Sequence, residues 1–213
     1  MTQRLPDTYF DRMYEASADP WQLQDRWYEQ RKFAITLALL PLPRFRHAFE
    51  PGCSVGVLTQ QLAGRCDRVT AIDLVPAALE ATGRRLKECG ADETVTLLRR
   101  SLDEHWPATD FDLIVLSEVG YYLESAALRE ILDREVPRLT NAATIVAAHW
   151  RHPVADYPMT GDEANNVIAA TPGLHRIGGY RDDDVVIDVF DTASSESVAA
   201  RTDVPGASPS APE

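Results

Sequence analysis

The chain has 213 residues, 45% of them hydrophobic and 25% charged, enough for one substantial domain with its own core. Its 33 acidic residues outnumber the 21 basic ones, for a formal net charge of −12. That balance argues against a nucleic-acid backbone as partner, which needs a basic footprint, and against an anionic membrane surface.

In chain order, the first 43 residues are expected to form a helical lid. Met1 to Asp19 carries helical patterning with Tyr9, Phe10 and Tyr14, and Asp19-Pro20-Trp21 marks a turn or helix start. Gln22 to Leu40 reads as one long helix or two, with Phe33, Leu37 and Leu40 on one face. Pro41 and Pro43 end it. Residues 44–191 then alternate strands and helices. Strands are expected up to Phe49 and at Val69–Ile72, Val95–Leu98, Phe111–Ser117 and Thr144–Ala148. Helices are expected to Ala63, at Pro76–Cys89, at Ser125–Leu139 and at Asp162–Thr171. His175–Tyr180 and Val185–Phe190 read as a closing antiparallel pair. The rhythm predicts an α/β, Rossmann-like, doubly wound and mostly parallel seven-stranded sheet, with helices on both faces and an antiparallel last strand. Residues 192–213, mostly Ala, Ser, Pro and acid, are expected to be a disordered tail.

Cys53, Cys66 and Cys89 include no C-x-x-C pair. Neither a zinc site nor a disulfide framework is indicated, and a cytoplasmic setting is expected. No apolar run approaches a membrane span, and no signal-type segment opens the sequence.

The stretch from His47 to Thr59 reads as strand, glycine-bearing turn and helix start. Gly52-Cys53-Ser54-Val55-Gly56 formally fits the G-x-S-x-G nucleophile elbow, but too few strands precede it. A dinucleotide fingerprint needs G-x-G-x-x-G, and Ser54 stands where its middle glycine belongs. The acidic-x-Gly-x-x-x-Gly turn of an S-adenosylmethionine site, from Glu50 to Gly56, fits without gaps; a tight turn with no ligand is the plain alternative. Asp73 ends the next strand, where an acid is placed to accept both ribose hydroxyls, unless it only caps the following helix.

Ligands of open parallel sheets lie at the carboxyl ends of the strands. Those ends carry Glu50, Asp73 with Leu74, Ser101-Leu102, Ser117-Glu118, and His149-Trp150-Arg151-His152. Trp21, Glu50, Gly52, Cys53, Ser54, Gly56, Asp73, Leu74, Ser101, Leu102 and Ser117 are expected to line the cofactor site. Ser101 or the Leu102 amide is placed for the adenine. Arg31, on the lid, is placed for the carboxylate of the methionine part. His149 is the first candidate for a general base, because imidazole titrates near neutral pH. Glu118 is the second, or the group that orients the base. A packed strand-end histidine bonded to backbone is the alternative for His149. Tyr121, Tyr122, Trp150, Arg151 and His152 are expected on the acceptor side. Asp156, Asp162 and Glu163 could join the histidines around a divalent metal, but no dense ligand motif supports one.

Taken together, Asp19-Pro20-Trp21, Glu50 to Gly56, Asp73 and Phe111 to Leu123 resemble the class I S-adenosylmethionine-dependent methyltransferases. Within them the chain is similar to the nodulation-protein-S-like family over roughly residues 9–190. The resemblance implies N-methylation of a glucosamine unit on a chito-oligosaccharide. It also implies Gly52 and Gly56 along the methionine part, Asp73 on the ribose, Glu118 near the reacting end, and S-adenosylhomocysteine as product. A free amine is already nucleophilic and needs no base, whereas the run at 149–152 is rich in acid/base groups. The expectation therefore leans to O-methylation of a small saccharide. N-methylation of an amino sugar comes next, then another small metabolite; a non-catalytic S-adenosylmethionine sensor is the alternative outside enzymes. Self-association, as a homodimer, is left open.

Overall fold

The computed structural model describes residues 4–207; the outermost parts of the expected lid and tail, 1–3 and 208–213, lie outside the described residues. Seven strands form one sheet in the order β3-β2-β1-β4-β5-β7-β6. They are β1 (Phe45–Pro51), β2 (Cys66–Asp73), β3 (Val95–Arg99), β4 (Leu113–Ser117), β5 (Thr144–Trp150), β6 (His175–Arg181) and β7 (Val185–Asp191). The first five are parallel, and β7 runs antiparallel to both β5 and β6, as expected of a closing hairpin.

Successive side chains of a strand point to opposite faces, so a doubly covered strand feeds two cores. Phe49, Ile72, Ile114, Leu116, Ile145 and Ala147 go to one face. There they meet α5 (Ser125–Glu135) and α6 (Gly161–Ala169) through Leu128, Ile131, Ala164 and Ile168. Ala48, Ala71, Leu113, Val115, Val146 and Ala148 go to the other. That face is covered by α2 (Trp27–Ala38), α3 (Val57–Ala63) and α4 (Pro76–Cys89), with Phe33, Leu58, Leu62 and Leu79 in contact.

The N-terminal segment holds two helices, α1 (Asp7–Ala16) and α2. Between them Asp19 accepts the amides of Leu23 and Gln24 (3.0 and 3.3 Å), which fixes the turn read from Asp19-Pro20-Trp21. The segment is tied down at its start, where Leu5 N donates to Tyr122 O at 2.9 Å. Phe33 and Leu40 are buried in the core with Leu37 packed against it, as expected, but the buried face of α2 also takes in three polar residues, Glu29, Lys32 and Thr36.

The segment after Asp191, expected to be disordered, carries a short helix α7 (Val198–Arg201). Arg201 pairs with the buried Asp191 at 2.6 Å, and Ser197 caps the helix by accepting the Ala200 amide. Composition hid this because the tether is one guanidinium, bonded to Asp191 and to the Glu196 and Ser194 carbonyls, rather than an apolar face.

Candidate active site

The carboxyl ends of the parallel strands open into a cavity of about 380 Å³, a size suited to a small-molecule ligand. The half of it expected to hold the cofactor is built by the turn after β1. Gly52 and Gly56 take φ of +74° and +77°, the left-handed region that glycine enters without strain. Space demands glycine too. A Cβ at Gly52 would stand 2.4 Å from Val119, and one at Gly56 2.6 Å from Thr82. Ser54, also left-handed at φ +52°, is held from both sides. Its amide donates to Asp73 Oδ2 at 2.9 Å, and its hydroxyl meets the Tyr14 hydroxyl of α1 at 2.6 Å. Asp73 spends its other oxygen on the Val75 amide at 3.0 Å. Burial pushes its carboxyl up despite these bonds.

Glu50 is 3% exposed, and its Oε2 has no hydrogen-bond partner in the protein. Burial, with the charge of Asp73 adding to it, pushes its carboxyl up to about 8. A buried carboxylate oxygen of this kind, near a second acid, suits a cationic ligand group. Of the residues expected on the cofactor side, all but Arg31 and Gly56 line the cavity. Gly56 instead shapes the turn. Arg31 is a correction: its guanidinium is committed to Asp182 at 2.8 Å and to the Tyr180 hydroxyl at 2.5 Å. Arg26, the N-cap residue of α2, is on the cavity wall.

The other half, expected to face the acceptor, centres on Glu118, at φ +58° just past β4. Lys32 Nζ donates to its Oε1 at 2.7 Å. Its Oε2 accepts the Trp150 amide at 2.9 Å and the Tyr121 hydroxyl. Lys32 is 2% exposed and also pairs with Glu29 at 2.6 Å. Two carboxylates thus share one buried ammonium. Burial alone would raise Glu118, but Lys32 draws its carboxyl below the ordinary value. For Glu29 burial prevails, and its carboxyl is raised. Burial acts against the charge of Lys32, yet the two carboxylates lift it above the usual lysine value.

His149 corrects the first candidate base. Its side chain is fully buried in β5 and is not on the cavity wall. Nε2 accepts the Gly120 amide at 3.0 Å, so the proton sits on Nδ1, which donates to Asn165 Oδ1 at 2.6 Å. Asn165 passes the chain on to Asp188 at 2.6 Å. Burial lowers the imidazole below its ordinary value and keeps it neutral. With both nitrogens engaged, His149 is a strut under the Gly120–Tyr122 turn.

Tyr121, Tyr122 and Trp150 line the cavity as expected. Arg151 and His152 do not. Arg151 pairs with Asp162 at 3.1 Å, and the exposed His152 pairs with Asp184 at 2.7 Å while its ring lies 4.4 Å from that of Trp150. Asp162 also pairs with Arg181 at 3.0 Å, and Glu163 closes a capping box with Thr160. Among the described residues, no group of three or more His, Cys, Asp or Glu is arranged to hold a metal ion.

The profile of the nodulation protein S (NodS) family matches residues 9–171, well over half of the chain. The chain belongs to the nodulation protein S family. It is 35% identical over 133 residues to nodulation protein S of Sinorhizobium fredii, covering 62% of this chain and 60% of that relative. To nodulation protein S of Bradyrhizobium diazoefficiens it is 31% identical over 144 residues, covering 63% of this chain and 68% of the other. The chain therefore spans about three-fifths to two-thirds of these two relatives. Among solved structures, it is similar to the N-methyltransferase NodS of Bradyrhizobium japonicum in complex with S-adenosylhomocysteine. The TM-score is 0.76 at 25% identity, over 86% of this chain and 96% of that one. The seven-stranded sheet is thus the class I methyltransferase fold of the NodS family.

Sequence reasoning missed Glu29 and Lys32 as members of the site. Their signal was present: Glu29, Lys32, Phe33 and Thr36 follow the i, i+3, i+4, i+7 spacing of a buried helix face. The face is polar, so an apolar count passes over it.

Proposed function

We propose that this chain transfers a methyl group from S-adenosylmethionine to the nitrogen of a small amine, with an amino sugar as the first acceptor class. Support for the donor comes from the NodS-family relationship and from the cofactor half of the cavity. There the residues present fit such a ligand: glycines that let it approach the main chain, Asp73 for a ribose, and the unpartnered Glu50 oxygen for a cationic group. Arg26, Leu74, Ser101 and Leu102 would complete the wall around it. When bound, S-adenosylmethionine supplies a methyl on a sulfonium; displacement by a nitrogen lone pair leaves a thioether and an ammonium product that gives its proton to solvent.

The observation that carries the choice of nitrogen is the commitment of both candidate bases. His149 has its lone pair on the Gly120 amide, and Glu118 accepts three donors, one of them the Lys32 ammonium. A hydroxyl acceptor needs a group to take its proton, whereas a neutral amine brings its own lone pair. The leaning to O-methylation drawn from residues 149–152 thus loses its chemical basis. What Glu118 and the Tyr121–Tyr122 turn supply instead is orientation, together with an anionic partner for charge that develops on nitrogen. Cys53, Cys66 and Cys89 are all unpaired, which supports the expected cytoplasmic setting.

The test is methyl transfer from S-adenosylmethionine to two matched acceptors, read by mass spectrometry. One is a short chito-oligosaccharide with a free amine; the other is its fully N-acetylated counterpart. Transfer to the free amine alone is expected. Transfer to the acetylated sugar, which offers hydroxyls and amide nitrogens without a free lone pair, would overturn the choice of an amine nitrogen.

A further inference from the structure

Tyr28, in the first turn of α2, is not used by the site as described so far. Its hydroxyl is shut off from solvent and has no hydrogen-bond partner in the protein. A buried hydroxyl left unpaired is destabilising, so its retention calls for a reason. The ring is firmly held. It packs edge-on against Trp150 with centroids 4.9 Å apart, and Lys32 Nζ lies 5.4 Å from its centroid. The residue lines the same cavity as Glu118, Trp150 and Tyr122.

We propose that the Tyr28 hydroxyl binds the acceptor nitrogen, accepting one of its N–H bonds beside Glu118. This deepens the amine reading above and rests on it. The chemistry follows from what the two groups have left to offer. Glu118 has four lone-pair positions and three donors, so one position remains. Tyr28 has both of its lone pairs. Burial, then the charges of Glu118, Glu29, Asp184 and Asp182, raise the phenol well above its ordinary value, so it stays neutral and does not repel Glu118 as a phenolate would. Two acceptor groups with free lone pairs, the Glu118 carboxylate and the Tyr28 hydroxyl, suit a nitrogen that carries two N–H bonds and keeps its lone pair for attack. A hydroxyl, with a single hydrogen, fills only one of them. The expected ligand is therefore a primary amine. The group also comes from the N-terminal helical segment, so acceptor recognition and the covering of the site share one element.

The experiment compares wild type with Tyr28→Phe, which removes the hydroxyl and keeps the ring. The acceptor is the free-amine chito-oligosaccharide. Three readouts are taken: acceptor KM and kcat, the Kd of S-adenosylhomocysteine, and the melting temperature without ligand. Expected are a rise in acceptor KM/kcat of about tenfold, the loss of one hydrogen bond to a charged or developing-charge partner, an unchanged Kd, and a melting temperature equal to or above wild type. Unchanged kinetics in Tyr28→Phe, with wild type active on the amine, would overturn the role of Tyr28 and leave the amine reading standing. A lowered melting temperature together with a weakened Kd would also overturn it, because the hydroxyl would then be a structural bond. If wild type itself methylates only the acetylated sugar, the amine reading falls first and takes the proposed ligand with it.

Discussion

Replacing Lys32 by Met tests the electrostatic centre of the site. Methionine keeps the length and an unbranched apolar side chain but removes the ammonium that lies 2.7 Å from Glu118 and 2.6 Å from Glu29. Both carboxylates are then buried without a counter-charge. Removing one partner of a buried ion pair typically costs about 3–5 kcal/mol. In a chain of this size that corresponds to a melting temperature lower by roughly 10 °C. The loss also has a pH signature with a definite sign. In wild type Glu118 is depressed by Lys32, so its contribution is present above the unfolded carboxylate value and fades as pH falls through the folded one. In Lys32→Met the carboxylates are raised, so stability is greatest below the unfolded value and falls as pH rises through the folded one. The deficit should therefore widen from pH 5 to pH 8, by up to about 1.4 kcal/mol per pH unit for each group that titrates in that window. Urea unfolding of both proteins at several pH values measures it. Adding Glu29→Gln and Glu118→Gln should recover much of the loss, because the remaining buried groups are neutral. A deficit below about 1 kcal/mol that is flat in pH would refute the buried-triad argument.

Three further perturbations follow from the same geometry. Gly52→Ala adds a Cβ 2.4 Å from Val119 at a φ of +74°, and should lower stability by about 2–4 kcal/mol while abolishing tight S-adenosylhomocysteine binding, by calorimetry. Asp73→Ala removes a cavity-wall carboxylate and the acceptor for the Ser54 amide, and should weaken S-adenosylhomocysteine at least about tenfold; unchanged affinity would take Asp73 out of the site. His149→Phe leaves the Gly120 amide and Asn165 without their partner and should destabilise by about 2–4 kcal/mol, yet the pH–rate profile of the folded fraction should keep its shape, because no base is lost. Glu50, raised to about 8, gives a fourth: stability of the ligand-free protein should fall as pH rises from about 4.5 through 8, and Glu50→Gln should flatten that slope.

What the sequence made legible divides along physical lines. Strand and helix positions were readable because their signal is periodic and local: β4 is apolar from Leu113 to Leu116, and α4 begins at Pro76 as expected. The turn after β1 was readable as a turn because glycine is required there by backbone angle and by space, and no other residue relieves both demands. Side-chain partnerships were not readable, because they join distant parts of the chain. His149 and Asn165 are 16 residues apart, Lys32 and Glu118 86, and Arg31 and Asp182 151. In each case residue type announced a chemical capability, and the fold had already committed it elsewhere.

The acceptor side depends on that distinction most heavily. A histidine at a strand end reads as a base only while its lone pair is free, and the turn at Gly120 claims it. Glycine at 120 belongs to the same arrangement, since a Cβ there would stand 2.8 Å from His149 Nε2. The histidine, the glycine and the amide between them thus form one structural unit that sets the path of the chain from Glu118 to Tyr122. Glu118 in turn is held by the Trp150 amide of the neighbouring strand and by Lys32 of α2. The end of the cavity around Glu118 is therefore a joint between β4, β5 and the N-terminal helices, and its polar groups are largely consumed in making that joint. Such a site orients an acceptor more readily than it removes a proton, which is the demand that a nucleophilic nitrogen makes and an unactivated hydroxyl does not.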